Sequence, residues 1–267
     1  MRIEDYPPQE PFSDAARAYH DEVMRRGEGA KGEEQRYGDD PYQGILIFRP
    51  AQPKGPLLAF IHGGGWTNGY KEWMAFMAPC FTEAGIVFAS VGYRLAPKHV
   101  FPVGYDDACA GIAWLVEHVR ALGADPRRVF VGGHSAGGHY AALMALKRPE
   151  LGLRGCLPIS GVFDFGAQSG LSMRPRFLGP PDSGAETPAS PIANIRGKPI
   201  PFLLAHGSED FPHLVPQAER METALREAGG DVERLVLQGR NHFSASYAGG
   251  EAQGPWVPRA VDWIFRH

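Results

Sequence analysis

Three cysteines, Cys80, Cys109 and Cys156, are all that this chain of 267 residues carries. They are widely spaced, each in an otherwise apolar run, with neither CxxC nor Cys/His ligand spacing. That pattern argues against a disulfide framework and a cysteine metal site, and predicts free buried thiols. Long hydrophobic runs are lacking too: the longest mostly apolar stretches, 57–61 and 86–91, fall far short of the roughly 18 residues a transmembrane helix needs. A soluble protein without a membrane partner is expected. Charge of one sign is not in excess, since Lys+Arg 27 stands against Asp+Glu 30 for a net charge of −3. A nucleic-acid partner is therefore not expected. With 43% hydrophobic and 21% charged residues, the composition also excludes a disordered chain. The opening stretch MRIEDYPPQEPF is acidic and proline-containing where a signal peptide would be basic and then apolar, which predicts a cytoplasmic protein. Neither GxxxxGK followed by Ser or Thr nor a strand-linked GxGxxG occurs, so nucleotide binding has no support.

Glycine (34) and proline (24) are plentiful but spread along the chain, which suits many turns rather than a linker. The length suits one core, residues 1–267 as a single domain. Residues 11–26 read as a helix and 27–35 as an exposed Gly/Glu/Lys-rich loop, so that 1–36 form an N-terminal helix and loop. From about residue 44 short β-branched runs alternate with helical ones. Strands are expected at 45–48, 57–61, 86–91, 129–133, 156–160, 200–205 and 232–237. Helices are expected near 71–84, 104–121, 136–147, 214–228 and from 256. Such alternation implies an α/β fold, a mostly parallel sheet with helices on both faces. Ligands then bind at the carboxyl ends of the strands, in the loops that follow them.

Four of those loops carry chemistry. Gly133-His134-Ser135-Ala136-Gly137 fits G-x-S-x-G between a strand and a helix, a turn in which side chains at Gly133 and Gly137 would clash and the Ser135 hydroxyl projects above a helix N-terminus. A serine hydroxyl is a poor nucleophile until a base takes its proton and a carboxylate orients that base. His242, after the last strand, is the candidate base. The carboxylate is one of the adjacent pair Glu209 and Asp210, in the order Ser, acid, His that an elbow of this kind uses. His62-Gly63-Gly64-Gly65 supplies an oxyanion loop, with the N–H groups of Gly64, Gly65 and Ala136 as donors and Gly63 needed for the turn.

On these residues the chain resembles the α/β-hydrolase superfamily, and more narrowly the HGGG-motif esterases, the hormone-sensitive-lipase-like and kynurenine-formamidase-like group. HGGGW at 62–66, SVGYRLAPKHVFP at 90–102, GHSAGGH at 133–139, SGVFD at 160–164, SPI at 190–192, HGSED and NHF carry the likeness, which runs from about residue 44 to the end. It implies a single-domain α/β-hydrolase fold and favours Asp210 over Glu209. It also makes Tyr93 and Arg94 braces of the oxyanion loop. Asp106 and Asp107 start a helix, where acids are favourable in any case. The lipase-like relatives typically carry a substantial N-terminal cap, so a minimal cap and a lightly covered site are expected here, closer to the formamidase-like and small-esterase members, and whether the 165–199 insert acts as a lid is left open. The formamidase loop often reads HGGYW where this one reads HGGGW, which leaves the substrate open.

Trp66 is a candidate substrate-binding residue, ahead of Tyr70, Trp73 and Phe76. His134 and His139 read as packing residues rather than metal ligands, and Lys71 and Glu72 as a solvated helix start. The expected activity is that of a serine hydrolase cleaving a small carboxylic ester or aryl formamide through an acyl-enzyme, with no cofactor and no metal. The alternatives are an arylformamidase acting on N-formylkynurenine and a non-catalytic hydrolase-fold ligand-binding protein. A homodimer is left open.

Overall fold

The computed structural model describes residues 1–167, 169–171 and 174–267, and of residues 174 and 175 the backbone alone. Eight strands form one sheet: β1 (Glu33–Arg36), β2 (Gly44–Phe48), β3 (Gly55–Ile61), β4 (Val87–Val91), β5 (Ala124–His134), β6 (Gly155–Ile159), β7 (Phe202–Glu209) and β8 (Val232–Asn241). Their order is β1-β2-β4-β3-β5-β6-β7-β8. The pairs β1/β2 and β2/β4 are antiparallel and the rest parallel. Every residue of β4 and β6 is buried, and all of β3 after its first. Strands without an exposed side must be covered on both faces, which accounts for their near-continuous apolar composition.

Nine helices are assigned among the described residues: α1 (Asp14–Arg26), α2 (Ala78–Glu83), α3 (Val103–His118), α4 (Ala136–Lys147), α5 (Arg174–Leu178), α6 (Glu186–Ala189), α7 (Leu214–Glu227), α8 (His242–Tyr247) and α9 (Val257–Arg266). None is long and apolar enough to cross a membrane. Helix α4 packs against β3, β5 and β6 at the centre of the sheet, and nearly all its residues up to Met144 are buried.

Three differences from the sequence reading matter for the site. The segment 27–35 is not all loop, because β1 pairs Glu33 with Ile47 and Arg36 with Gly44. An edge strand of Glu, Glu, Gln and Arg shows no apolar alternation, so only its partner reveals it. The helix expected near 71–84 is a 3-10 turn, Lys71–Met77, followed by α2. Strands β7 and β8 run on to Glu209 and Asn241, so the polar residues after the apolar runs belong to strand ends.

Candidate active site

Strand β5 ends at His134, and the chain turns through Ser135 at φ 54° and ψ −118° before α4 begins. This is a left-handed conformation that a non-glycine residue adopts only where its surroundings hold it. The neighbouring glycines do so. A Cβ on Gly133 would lie 2.3 Å from the Gly137 carbonyl carbon, and one on Gly137 would lie 2.0 Å from the Ile61 oxygen. Strand, turn and helix therefore interlock at a distance no side chain allows.

His242 opens α8. The Asn241 side chain caps that helix, accepting from Phe243 N–H at 3.1 Å and Ser244 N–H at 2.9 Å, and so fixes where the imidazole starts. Ser135 Oγ lies 2.9 Å from His242 Nε2, and His242 Nδ1 lies 2.8 Å from Asp210 Oδ1. With the ring proton on Nδ1 donated to the carboxylate, Nε2 is free to accept the serine proton. Glu209 is exposed while Asp210 is buried, and of the acidic pair it is Asp210 that meets His242.

The Asp210 carboxylate takes three further donors among the described residues: Phe211 N–H on Oδ1 at 2.8 Å, Gly207 N–H on Oδ2 at 3.3 Å and the Ser160 hydroxyl on Oδ2 at 2.5 Å. Burial alone would push this acid up. The hydrogen bond and charge of His242, with the Ser160 and Phe211 donors, outweigh it and bring Asp210 down to about 2. The His242 ring is held between Phe211, stacked at 4.2 Å, and His134, at 4.8 Å between centroids. His134 Nε2–H donates to the His242 carbonyl at 3.0 Å, and burial drives its pKa down to about 3.

The candidate oxyanion loop turns at Gly64 (φ 109°) and Gly65 (φ 59°). A Cβ on Gly64 would sit 2.0 Å from the Asn68 oxygen, so the close turn requires glycine there. The Gly64 carbonyl accepts from Thr67 and Asn68 N–H at 3.2 and 2.9 Å. The N–H groups of Gly64 and Gly65 have no partner among the described residues, and Ala136 is the first residue of α4, where helical N–H groups lack intrahelical acceptors. Tyr93 O–H donates to the His62 carbonyl at 3.1 Å and stacks on the His62 ring at 4.3 Å. Ala96 N–H donates to the Trp66 carbonyl at 3.0 Å. The VGYRLAP segment thus braces the loop from behind. Arg94 serves it indirectly, through a two-point ion pair of 2.7 Å with Asp107. Asp107 is buried, so it is an anchor, while its neighbour Asp106 stays exposed at the helix start.

Ser135 opens into a cavity of about 310 Å3, which Gly64 and Gly65 also line and whose walls include Tyr19, Trp73, Phe211 and Phe243. Trp66 is not among the described lining residues. Its backbone at φ 63° carries the indole into the interior, where it stacks on Phe177 at 4.2 Å and donates Nε1–H to His139 Nδ1 at 3.1 Å. His139 in turn donates Nε2–H to the Ala189 carbonyl at 2.7 Å. Trp73, rather than Trp66, lines the cavity. Cover over the site comes in part from α1, which supplies Ser13, Ala16 and Tyr19 of the wall, and no described residue of 165–199 lines it. Part of that insert lies outside the described residues. Lys71 is buried rather than solvated, its Nζ 3.2 Å from Glu34 and 3.0 Å from Glu72. Tyr19 and Phe211 escaped sequence reasoning, and Ser160, though it opens the SGVFD motif, was given no role there. The signal for Phe211 was its adjacency to the candidate acid and that for Ser160 its place in SGVFD; Tyr19 carries none, since it meets the site across a long sequence separation.

Residues 58–245 match the family described as alpha/beta hydrolase fold. A protein of Oryza sativa subsp. japonica named probable isoprenylcysteine alpha-carbonyl methylesterase ICME is 29% identical over 234 residues, covering 77% of this chain and 56% of that one. Esterase LipC of Mycobacterium tuberculosis is 32% identical over 235 residues, covering 77% and 58%. The chain spans about half the length of the curated relatives it matches. Among solved structures, EstE1, a thermophilic carboxylesterase cloned from a metagenomic library, aligns at a TM-score of 0.77 over 95% of this chain and 97% of that one, with 21% identity. That likeness shows the fold.

Proposed function

Because the chain belongs to the alpha/beta hydrolase fold family, we propose that it is a serine hydrolase that cleaves small carboxylic esters through an acyl-enzyme, a short-chain carboxylesterase. The observation that carries this reading is the unbroken relay from Ser135 Oγ to His242 Nε2 at 2.9 Å and from His242 Nδ1 to Asp210 at 2.8 Å, at the floor of a cavity lined by the oxyanion glycines.

His242 takes the Ser135 proton as Oγ attacks the ester carbonyl carbon. The oxygen that gains the negative charge meets the N–H groups of Gly64, Gly65 and Ala136, donors already oriented before the charge develops. Collapse of the tetrahedral species breaks the bond to the alcohol oxygen, which leaves with the proton from His242. Water then attacks the acyl-enzyme, giving its proton to His242, and the acid departs as Ser135 recovers that proton. Asp210, ionised throughout, balances the imidazolium.

The named activities of the relatives, a methylesterase and an esterase, support an ester over an amide. The aromatic walls Tyr19, Trp73, Phe211 and Phe243 also suit a flat apolar group, which keeps arylformamidase activity as the second reading. Steady-state kinetics on p-nitrophenyl acetate, p-nitrophenyl butyrate and N-formylkynurenine separate the two. The esterase reading expects the esters to win in kcat/KM. Ser135→Ala is expected to fall on the order of 10^4-fold or more in kcat; full activity in that variant would refute the assignment.

A further inference from the structure

Ser160 is the residue after β6, fully enclosed at 1% exposure. Its N–H donates to the Ala205 carbonyl at 2.7 Å, extending the β6/β7 pairing by one step. The chain then leaves the sheet through Ser160 itself at φ 51°. A serine in this left-handed region is less favourable than a glycine would be, yet the glycine stands one position later, at Gly161. What serine adds is a hydroxyl, and that hydroxyl reaches Asp210 Oδ2 at 2.5 Å.

The two carboxylate oxygens of Asp210 are held unequally. Oδ1 has both the His242 ring N–H and Phe211 N–H at 2.8 Å. Among the described residues, Oδ2 has only Gly207 N–H, at 3.3 Å, besides Ser160. Without the hydroxyl the carboxylate would turn more freely about its last bond, and Oδ1 would leave the line to Nδ1. We infer that Ser160 is a positioning residue of the relay, a fourth side chain that locks the Asp210 carboxylate against His242 from the far side.

The inference rests on the serine-hydrolase reading. It assigns the positive φ of Ser160 to catalysis rather than to folding, since the turn off the sheet would be made more easily by glycine. Removing the hydroxyl acts in two ways. The carboxylate loses orientation, which slows every proton transfer by His242. It also loses a donor that disperses its charge, so it holds the imidazolium more tightly and moves the acid limb of kcat/KM to higher pH. The other titratable groups near the pair are His134, held neutral down to about pH 3 by burial, and His213, whose pKa is lowered by burial and by the His242 charge.

The test compares wild type, Ser160→Gly and Ser160→Ala on p-nitrophenyl acetate, with thermal unfolding of each protein and pH profiles repeated in a His213→Asn background. Glycine fits the backbone and alanine keeps its strain, so Ser160→Gly is expected to be the more stable of the two variants. Both are nevertheless expected to lose kcat by roughly tenfold with KM within about twofold, and both to shift the acid limb upward, with or without His213. Three results would overturn the inference: kcat within about twofold of wild type in Ser160→Gly, loss in Ser160→Ala alone, or an acid limb that does not move. Wild-type hydrolysis that survives Ser135→Ala would instead sink the serine-hydrolase reading, and the inference with it.

Discussion

Trp66 is the residue whose sequence context misleads most. It follows the HGGG glycines directly, so a place in the substrate pocket is the natural expectation. Its indole N–H is spent on His139 instead, and His139 spends its own ring N–H on Ala189. The chain of two hydrogen bonds requires neutral His139 with its proton on Nε2, and burial keeps it neutral by pressing its pKa down to about 3. Replacing Trp66 by Phe retains most of the stacking on Phe177 but leaves His139 Nδ1 buried without a donor. The expected cost is about 1–3 kcal/mol of stability, read as a lowered urea midpoint at constant slope; an unchanged midpoint would show that another donor reaches Nδ1.

At the scale of elements, α1 acts as the near wall of the cavity. Ser13 caps it, accepting from Ala16 N–H at 3.2 Å, and Tyr19 and Val23 are its buried residues. Tyr19 meets Trp73 edge to face at 5.2 Å and bonds Ser246 of α8 at 2.8 Å, joining the N-terminal helix to the helix that begins with His242. The segment before α1 is tied down at Tyr6, whose hydroxyl is shared between buried Lys71 and Glu72. Truncating Tyr19 to Ala removes wall rather than relay. Activity on acetate is expected to persist, and the ratio of kcat/KM for hexanoate over acetate to rise by about tenfold as the longer chain enters the vacated space. A ratio unchanged across the acyl series would place the acyl chain elsewhere in the cavity.

For the whole molecule, acid stability follows from histidines that folding keeps neutral. Burial lowers His62 to about 4 and His134 and His139 to about 3, all from an ordinary value of 6.5. Above pH 6.5 these rings are neutral folded or unfolded and cost nothing. As pH falls below that, the unfolded chain takes up three protons that the native state refuses, so stability is lost until the folded values are reached. The slope expected from the three together is about 4 kcal/mol per pH unit between roughly pH 5.5 and 4. Urea midpoints measured from pH 8 to 4 check this: stability flat down to near 6.5 and then steeply falling is the expected curve, and a midpoint unchanged at pH 4.5 would contradict it.

Much of this protein is legible along the chain because its signals are local. The apolar runs of β3, β4 and β6 announce buried parallel strands, and Gly133, Ser135 and Gly137 announce the elbow, since steric exclusion among neighbours in sequence needs no knowledge of the rest. Asp210 and His242 are legible for a related reason, each lying at the end of a strand whose apolar run precedes it. What tertiary structure alone decided involves groups that meet across the fold. The β1 edge strand is charged and gains its identity from pairing with β2. Lys71 becomes buried because Tyr6, Glu34 and Glu72 arrive around it, Tyr19 enters the cavity because α1 docks on the 3-10 turn, and Ser160 reaches Asp210 because β6 and β7 lie side by side. Sequence determines which residues can do the chemistry through short-range geometry. Packing decides which of them touch, because contact between distant segments depends on shapes and partners that no local pattern encodes.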